Sequence, residues 1–143
     1  MGLEDVYTEL VSEHSRCPEN RHPLDCATCS CKAHNPSCGD EITLHLDIAD
    51  GIVKDASFEG VGCAISQAST DMMVDLIRGK RVEEARALAQ KFIGMIKGEI
   101  TDEAELEDLD EALALKGVSH MPARVKCAVL AWHTLDEALK DER

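Results

Sequence analysis

Aromatic side chains are nearly missing from this chain: 143 residues hold one tryptophan, one tyrosine and two phenylalanines. The interior therefore has to be built from Leu, Ile, Val, Ala and Met. Long apolar runs are missing too. Nothing approaches the roughly 20 apolar residues of a membrane-crossing helix. The opening Met1-Gly2-Leu3-Glu4-Asp5 is acidic where a secretory leader would be basic and then apolar, so a cytoplasmic location is expected. Basic residues are scarce, 15 against 28 acidic, for a formal net charge of -13. Such a surface repels phosphate backbones and anionic lipid, which argues against nucleic acid and membrane as partners; a basic protein partner, or simple solubility, fits better. No internal repeat and no low-complexity segment is visible.

Cysteine, by contrast, is plentiful. Seven of them in a chain expected to be cytoplasmic point to metal or sulfur chemistry rather than a disulfide framework, and an odd number cannot pair completely. With 44% hydrophobic and 30% charged residues, the chain suits one globular domain over 1–143.

Periodicity supplies the elements. Val6, Leu10, Val11 and His14 fall at helical spacing and predict a first helix over 5–14, with His14 a structural histidine at its end. Residues 15–37, broken by Pro18, Pro23 and Pro36, read as a Cys-rich loop holding Cys17, Cys26, Cys29 and Cys31. Ile42, Leu44, Leu46 and Ile48 then alternate with Thr43, His45 and Asp47, as in a half-buried strand. Here His45 is assigned no role. Asp50-Gly51 is a hairpin signal, and Ile52 to Glu59 returns as the second strand. Because an isolated hairpin is marginal, an additional strand within 15–37 is allowed for. Helices are predicted over 66–78, 82–97, 103–115 and from Pro122 onward, with Met72 and Met73 filling core space. The expected fold class is α+β, a small antiparallel sheet packed against several helices.

The stretch Asn35-Pro36-Ser37-Cys38-Gly39-Asp40 offers a thiolate and a carboxylate on either side of a glycine, the residue that lets a tight turn aim both at one point. Cys63 stands just before a predicted helix, and Cys127 lies in the first two turns of another. Helix N-termini favour thiolate over thiol. Cys38, Asp40, Cys63 and Cys127 together give three sulfurs and one oxygen, the count of a tetrahedral zinc site. Three thiolates and one carboxylate outweigh the charge of a zinc ion, so the site is a poor Lewis acid with electron-rich sulfurs. Arg124 and Lys126 flank Cys127 and are available to offset the excess charge.

These motifs carry a resemblance. Asn35 to Asp40, then Gly60-Val61-Gly62-Cys63-Ala64-Ile65-Ser66, then Pro122-Ala123-Arg124-Val125-Lys126-Cys127-Ala128 resemble, in order, the three ligand segments of the IscU/NifU N-terminal family. Within it, the scaffold branch carries a histidine directly before its last cysteine and a proline-proline-valine-lysine motif. Here Lys126 stands at that position, the motif is absent, and the interval between the last two cysteines is longer. Those features are similar to the SufU branch. The resemblance implies a zinc-dependent persulfide relay serving a SufS-type cysteine desulfurase and a SufBCD-type assembly complex. A desulfurase histidine would displace Cys38 from zinc, the freed Cys38 would accept sulfur, and Arg124 would help dock the partner. The alternatives are an iron–sulfur cluster assembly scaffold using the same ligands, and a structural zinc module.

Asp25-Cys26-Ala27-Thr28-Cys29-Ser30-Cys31 has no counterpart in the resemblance. It allows a second metal with Cys17 as fourth ligand, a redox disulfide, an onward sulfur relay, or exposed free thiols.

Overall fold

The alternation centred on Leu44 forms the middle strand of a three-stranded antiparallel sheet. The computed structural model describes residues 9–36 and 39–140. Within them β1 (Cys29–Asn35), β2 (Asp40–Ala49) and β3 (Ile52–Val61) lie in the order β1-β2-β3. Asp50 and Gly51 have φ of 55° and 73°, positive at both centres of the turn as a type I′ hairpin requires. That turn sets Ala49 opposite Ile52, and it places Leu44 opposite Phe58. Part of the expected loop is therefore corrected. Residues 29–35 supply the third strand that a marginal hairpin needs, with Cys29 opposite Leu46 and Asn35 opposite Asp40.

Ile42, Leu44, Leu46, Ala56 and Phe58 are fully buried between the sheet and the helices. The central helix is α2 (Ala64–Ile77): eleven of its fourteen residues are buried, so it is covered on nearly every side. Against it pack α1 (Glu9–Arg16) and α5 (Pro122–Leu139), and α3 (Val82–Ile96) packs in turn on α5. The expected first helix begins in part outside the described residues. Trp132 of α5 stacks on Phe92 of α3 with ring centroids 4.1 Å apart. Its indole N–H donates to Ser69 Oγ at 2.8 Å, and the Ser69 hydroxyl donates onward to the Ala128 carbonyl. One ring pair thus joins three helices.

The expected helix over 103–115 is also corrected. A single turn, α4 (Glu103–Leu106), gives way to a 3-10 segment, Glu107–His120, interrupted at Asp110 where φ is 52°. Leu106, Leu109, Ala112, Leu115 and Val118 are all buried. They recur every third residue, the repeat of a 3-10 helix, so this winding keeps them on one face.

His14 fastens α1 to the rest. Its Nδ1 lies 2.5 Å from Asp71 Oδ2 on α2, and its Nε2 lies 2.6 Å from Glu111 Oε1 on the 3-10 segment. Asn20 donates to both Asp71 and Asp75, and Arg78 contacts Asp75 and Asn20. Burial alone would lower the His14 pKa, but hydrogen bonds to Glu111 and Asp71 outweigh it and hold it above 6.5. Burial pushes Asp71 up as well, beyond what His14 and Asn20 recover. The pair as a whole holds its proton more tightly than the separated groups would. A raised folded pKa contributes stability below the unfolded value and loses it as pH climbs through the folded one. The His14→Gln variant is therefore expected to be less stable by about 2 kcal/mol below pH 6.5, with the gap shrinking as pH rises. Urea unfolding of both proteins across pH 5.5 to 8.5, approximately the span over which histidine titrates, checks this. A gap that does not change with pH would rule out the charged pair.

His45 also has a structural role that the sequence did not show. On the outer sheet face it bridges Ser30 Oγ at 2.8 Å and Glu59 at 2.7 Å, joining all three strands.

Candidate metal centre

Asp40, Cys63 and Cys127 are far apart in sequence and arrive from three elements: the first residue of β2, the cap of α2, and the second turn of α5. One ligand atom from each lies within 4.8 Å of the others. Cys38 lies outside the described residues. Gly39, beside it, has φ of 69°, as the predicted tight turn requires.

Each candidate ligand is held by its neighbours. Asp40 is fully buried, and its Oδ1 accepts the Cys63 backbone N–H at 2.9 Å. Cys63 takes the N-cap position of α2 with φ -72° and ψ 168°, and its sulfur accepts the Ser66 N–H at 3.4 Å. This is the helix-terminus setting that stabilises a thiolate. Cys127 is only 1% exposed. Asn35 turns its side-chain N–H toward both neighbours, 3.5 Å from Asp40 Oδ2 and 3.9 Å from Cys127 Sγ. A buried donor aimed at two ligands is the outer support that metal sites use to orient their inner groups.

The donor set fits a thiophilic borderline ion such as zinc: two sulfurs and one carboxylate converge, and a tetrahedral ion held by them would take one further group. Among the described residues the buried Ser66 hydroxyl, beside this cluster, has no hydrogen-bond partner, which suits a polar centre rather than a packed apolar one. Asn35 and Ser66 were not assigned roles from the sequence, although Asn35 opens the very turn that carries Cys38. Arg124 is half-buried in the first turn of α5, three residues before Cys127, and Lys126 is exposed.

His14, Asp71 and Asp75 form a second set of ligand atoms within 4.8 Å. Both His14 nitrogens and both Asp71 oxygens already have protein partners, so this set reads as the fastening described above. Among the described residues no helix is long and apolar enough to cross a membrane.

Comparison with known proteins finds relatives of this chain. The description of NifU-like N-terminal domains matches residues 6–95. The chain is 46% identical over 140 residues to the iron–sulfur cluster assembly scaffold protein IscU of Thermotoga maritima, covering 98% of this chain and 96% of that one. It is 39% identical over 142 residues to the zinc-dependent sulfurtransferase SufU of Bacillus subtilis, covering 99% and 94%. A crystal structure from Fervidobacterium islandicum, described as an iron–sulfur cluster assembly scaffold for the SUF system, superposes with a TM-score of 0.88 at 36% identity, over 96% of this chain and 99% of that one.

Proposed function

The chain belongs to the family of NifU-like N-terminal domains, and on that premise we propose that it is a zinc-dependent sulfur-transfer protein of iron–sulfur cluster assembly. In this reading Cys38, Asp40, Cys63 and Cys127 hold zinc, and Cys38 is the sulfur acceptor. The convergence of Asp40, Cys63 and Cys127 within 4.8 Å is the observation that carries it. Bound zinc supplies positive charge that keeps the sulfurs as thiolates.

The partner in this proposal is a cysteine desulfurase of the SufS type holding sulfur as a persulfide. Cys38 thiolate attacks the outer sulfur. The donor's S–S bond breaks, a new S–S bond forms on Cys38, and the donor cysteine leaves as a thiolate. The proton of the persulfide stays with the transferred sulfur, and no oxidant is consumed. From Cys38 the sulfur passes to a SufBCD-type assembly complex. Val61, between Gly60 and Gly62 and two residues before Cys63, is 68% exposed, an apolar side chain free to meet a partner at the rim of the site. Arg124 on α5 is proposed to help dock that partner.

The scaffold reading is favoured by the name of the Thermotoga relative. Lys126, where the scaffold branch resembled above has histidine, favours transfer. Metal analysis paired with a desulfurase assay on one preparation tests the proposal. A colourless protein with one zinc per chain, stimulating desulfurase only while zinc is bound, is expected. Stimulation that survives complete zinc removal would reject zinc-dependent transfer, and a brown protein after anaerobic purification would favour the scaffold.

A further inference from the structure

The C-x-x-C-x-C run is divided by the strand it enters. Side chains two apart on a strand share a face, so Cys29, Cys31, Ala33 and Asn35 look the same way. They lie opposite Leu46, Leu44, Ile42 and Asp40, whose side chains are fully buried on the helix side of the sheet. Cys26 goes the other way. Its thiol donates to Asp47 Oδ2 at 3.4 Å, and Asp47 alternates with the inward-facing Leu46.

Among the described residues, neither three-ligand set includes any of the cysteines at 17, 26, 29 or 31. A second four-ligand metal site is thereby disfavoured. What remains is a pair. Cys29 Sγ and Cys31 Sγ are 3.5 Å apart, in contact, and both residues are half-buried. Cys31 also lines a groove of about 530 Å³ between β1 and α5, with His133, Asp136 and Glu137 of α5 on its other wall.

We propose that Cys29 and Cys31 are a reversible dithiol–disulfide site, separate from the proposed metal centre, which exchanges with small disulfides entering this groove. One thiolate attacks a sulfur of the small disulfide, forming a mixed disulfide and releasing one small thiol. The second thiolate attacks the protein sulfur of that bond, closing Cys29 to Cys31 and releasing the other. Two protein thiols are oxidised, one small disulfide is reduced to two thiols, and the protons leave with them. Cys26 is the more exposed cysteine but the poorer competitor: the hydrogen bond to Asp47, then burial and the Asp47 charge, push its thiol up, which lowers its thiolate fraction.

Closure reaches the metal centre through β1. Residues two apart on a strand are separated by about 6.6 Å, near the long limit of roughly 6.8 Å for Cα atoms joined by a disulfide, whose common value is about 5.5–6 Å. Closing the pair shortens the strand and loosens its ladder to β2. Asn35, four residues farther along the same face, then loses its hold on Asp40 and Cys127.

The full chain as isolated, reduced and kept anaerobic, is treated with cystine and mapped by peptide mass spectrometry beside the single variants Cys26→Ser, Cys29→Ser and Cys31→Ser. Wild type and Cys26→Ser are expected to lose two hydrogens between residues 27 and 32 and to retain no half-cystine. Cys29→Ser and Cys31→Ser are expected to stop at the mixed disulfide on the remaining partner. Amide exchange over residues 32–36 is expected to become roughly tenfold faster in oxidised wild type and to recover with a dithiol reductant. Half-cystine accumulating on Cys17 or Cys26 while Cys29 and Cys31 stay reduced would overturn the site. Closure with unchanged exchange over 32–36 would overturn its link to Asn35.

Discussion

A Cys127→Ser protein is expected to lose its metal, whereas Cys38→Ser keeps the metal and loses sulfur transfer. The two residues do different work in the proposed site. Cys127 is 1% exposed, fixed on a helix turn, and sits beside Asn35 and Asp40. Serine there offers a hydroxyl that binds zinc far more weakly than a thiolate and stays protonated at neutral pH. The loss in affinity should exceed the roughly 10–100-fold that removal of an outer supporting group produces. Cys38 follows a different logic. It adjoins a glycine with positive φ, and Asp40, Cys63 and Cys127 form a three-ligand base without it. Its replacement by serine should leave most of the zinc in place while desulfurase stimulation falls to background. Zinc per chain after dialysis against a moderate chelator, with the desulfurase assay on the same samples, separates the two. Equal zinc loss in both variants would show that no residue is set apart for transfer.

Much of this was legible in the sequence, and the reasons differ by element. Strict alternation over β2 and the Asp50-Gly51 turn fixed the hairpin, because one buried face and one turn type leave a single register. Strand β1 was harder to see. Its inward residues are Cys29, Cys31, Ala33 and Asn35, small or polar side chains that give no apolar rhythm. Its existence followed only from the weakness of a lone hairpin. The segment after Leu106 carried its signal openly, a buried residue every third position, but Leu106, Leu109 and Leu113 also satisfy an α-helical reading. The proposed metal centre was legible as residue types on the right kinds of turns, while the meeting of Asp40, Cys63 and Cys127 is a property of the folded chain. His14 shows the limit clearly. Its partners Asp71 and Glu111 are 57 and 97 residues away, and no local pattern points to either.

The Gly60-Val61-Gly62 stretch joins fold and site, and alanine at its two glycines should separate them. Gly60 pairs with Ile42 and has φ of 134°; a Cβ there would stand 1.9 Å from the Glu41 carbonyl oxygen. That oxygen belongs to the backbone of a paired strand and cannot move without breaking the ladder. Gly60→Ala is expected to destabilise the fold by more than about 3 kcal/mol, since a disfavoured conformation and a backbone clash act together. Gly51 is the control: its φ is 73° with nothing within 4 Å of a new Cβ, so alanine there should cost only about 1 kcal/mol. At Gly62 the new Cβ would stand 2.6 Å from Asp40 Oδ1 and 3.2 Å from Ser66 Oγ. Both are side-chain atoms, one of them a proposed ligand, so the clash is relieved by displacing Asp40. Gly62→Ala should therefore unfold in urea within about 1.5 kcal/mol of wild type while binding zinc at least tenfold more weakly. Urea unfolding and competitive chelation on the three variants measure both quantities. Metal affinity left unchanged by Gly62→Ala would mean that the Asp40 carboxylate, as placed against the Cys63 N–H, is not a ligand.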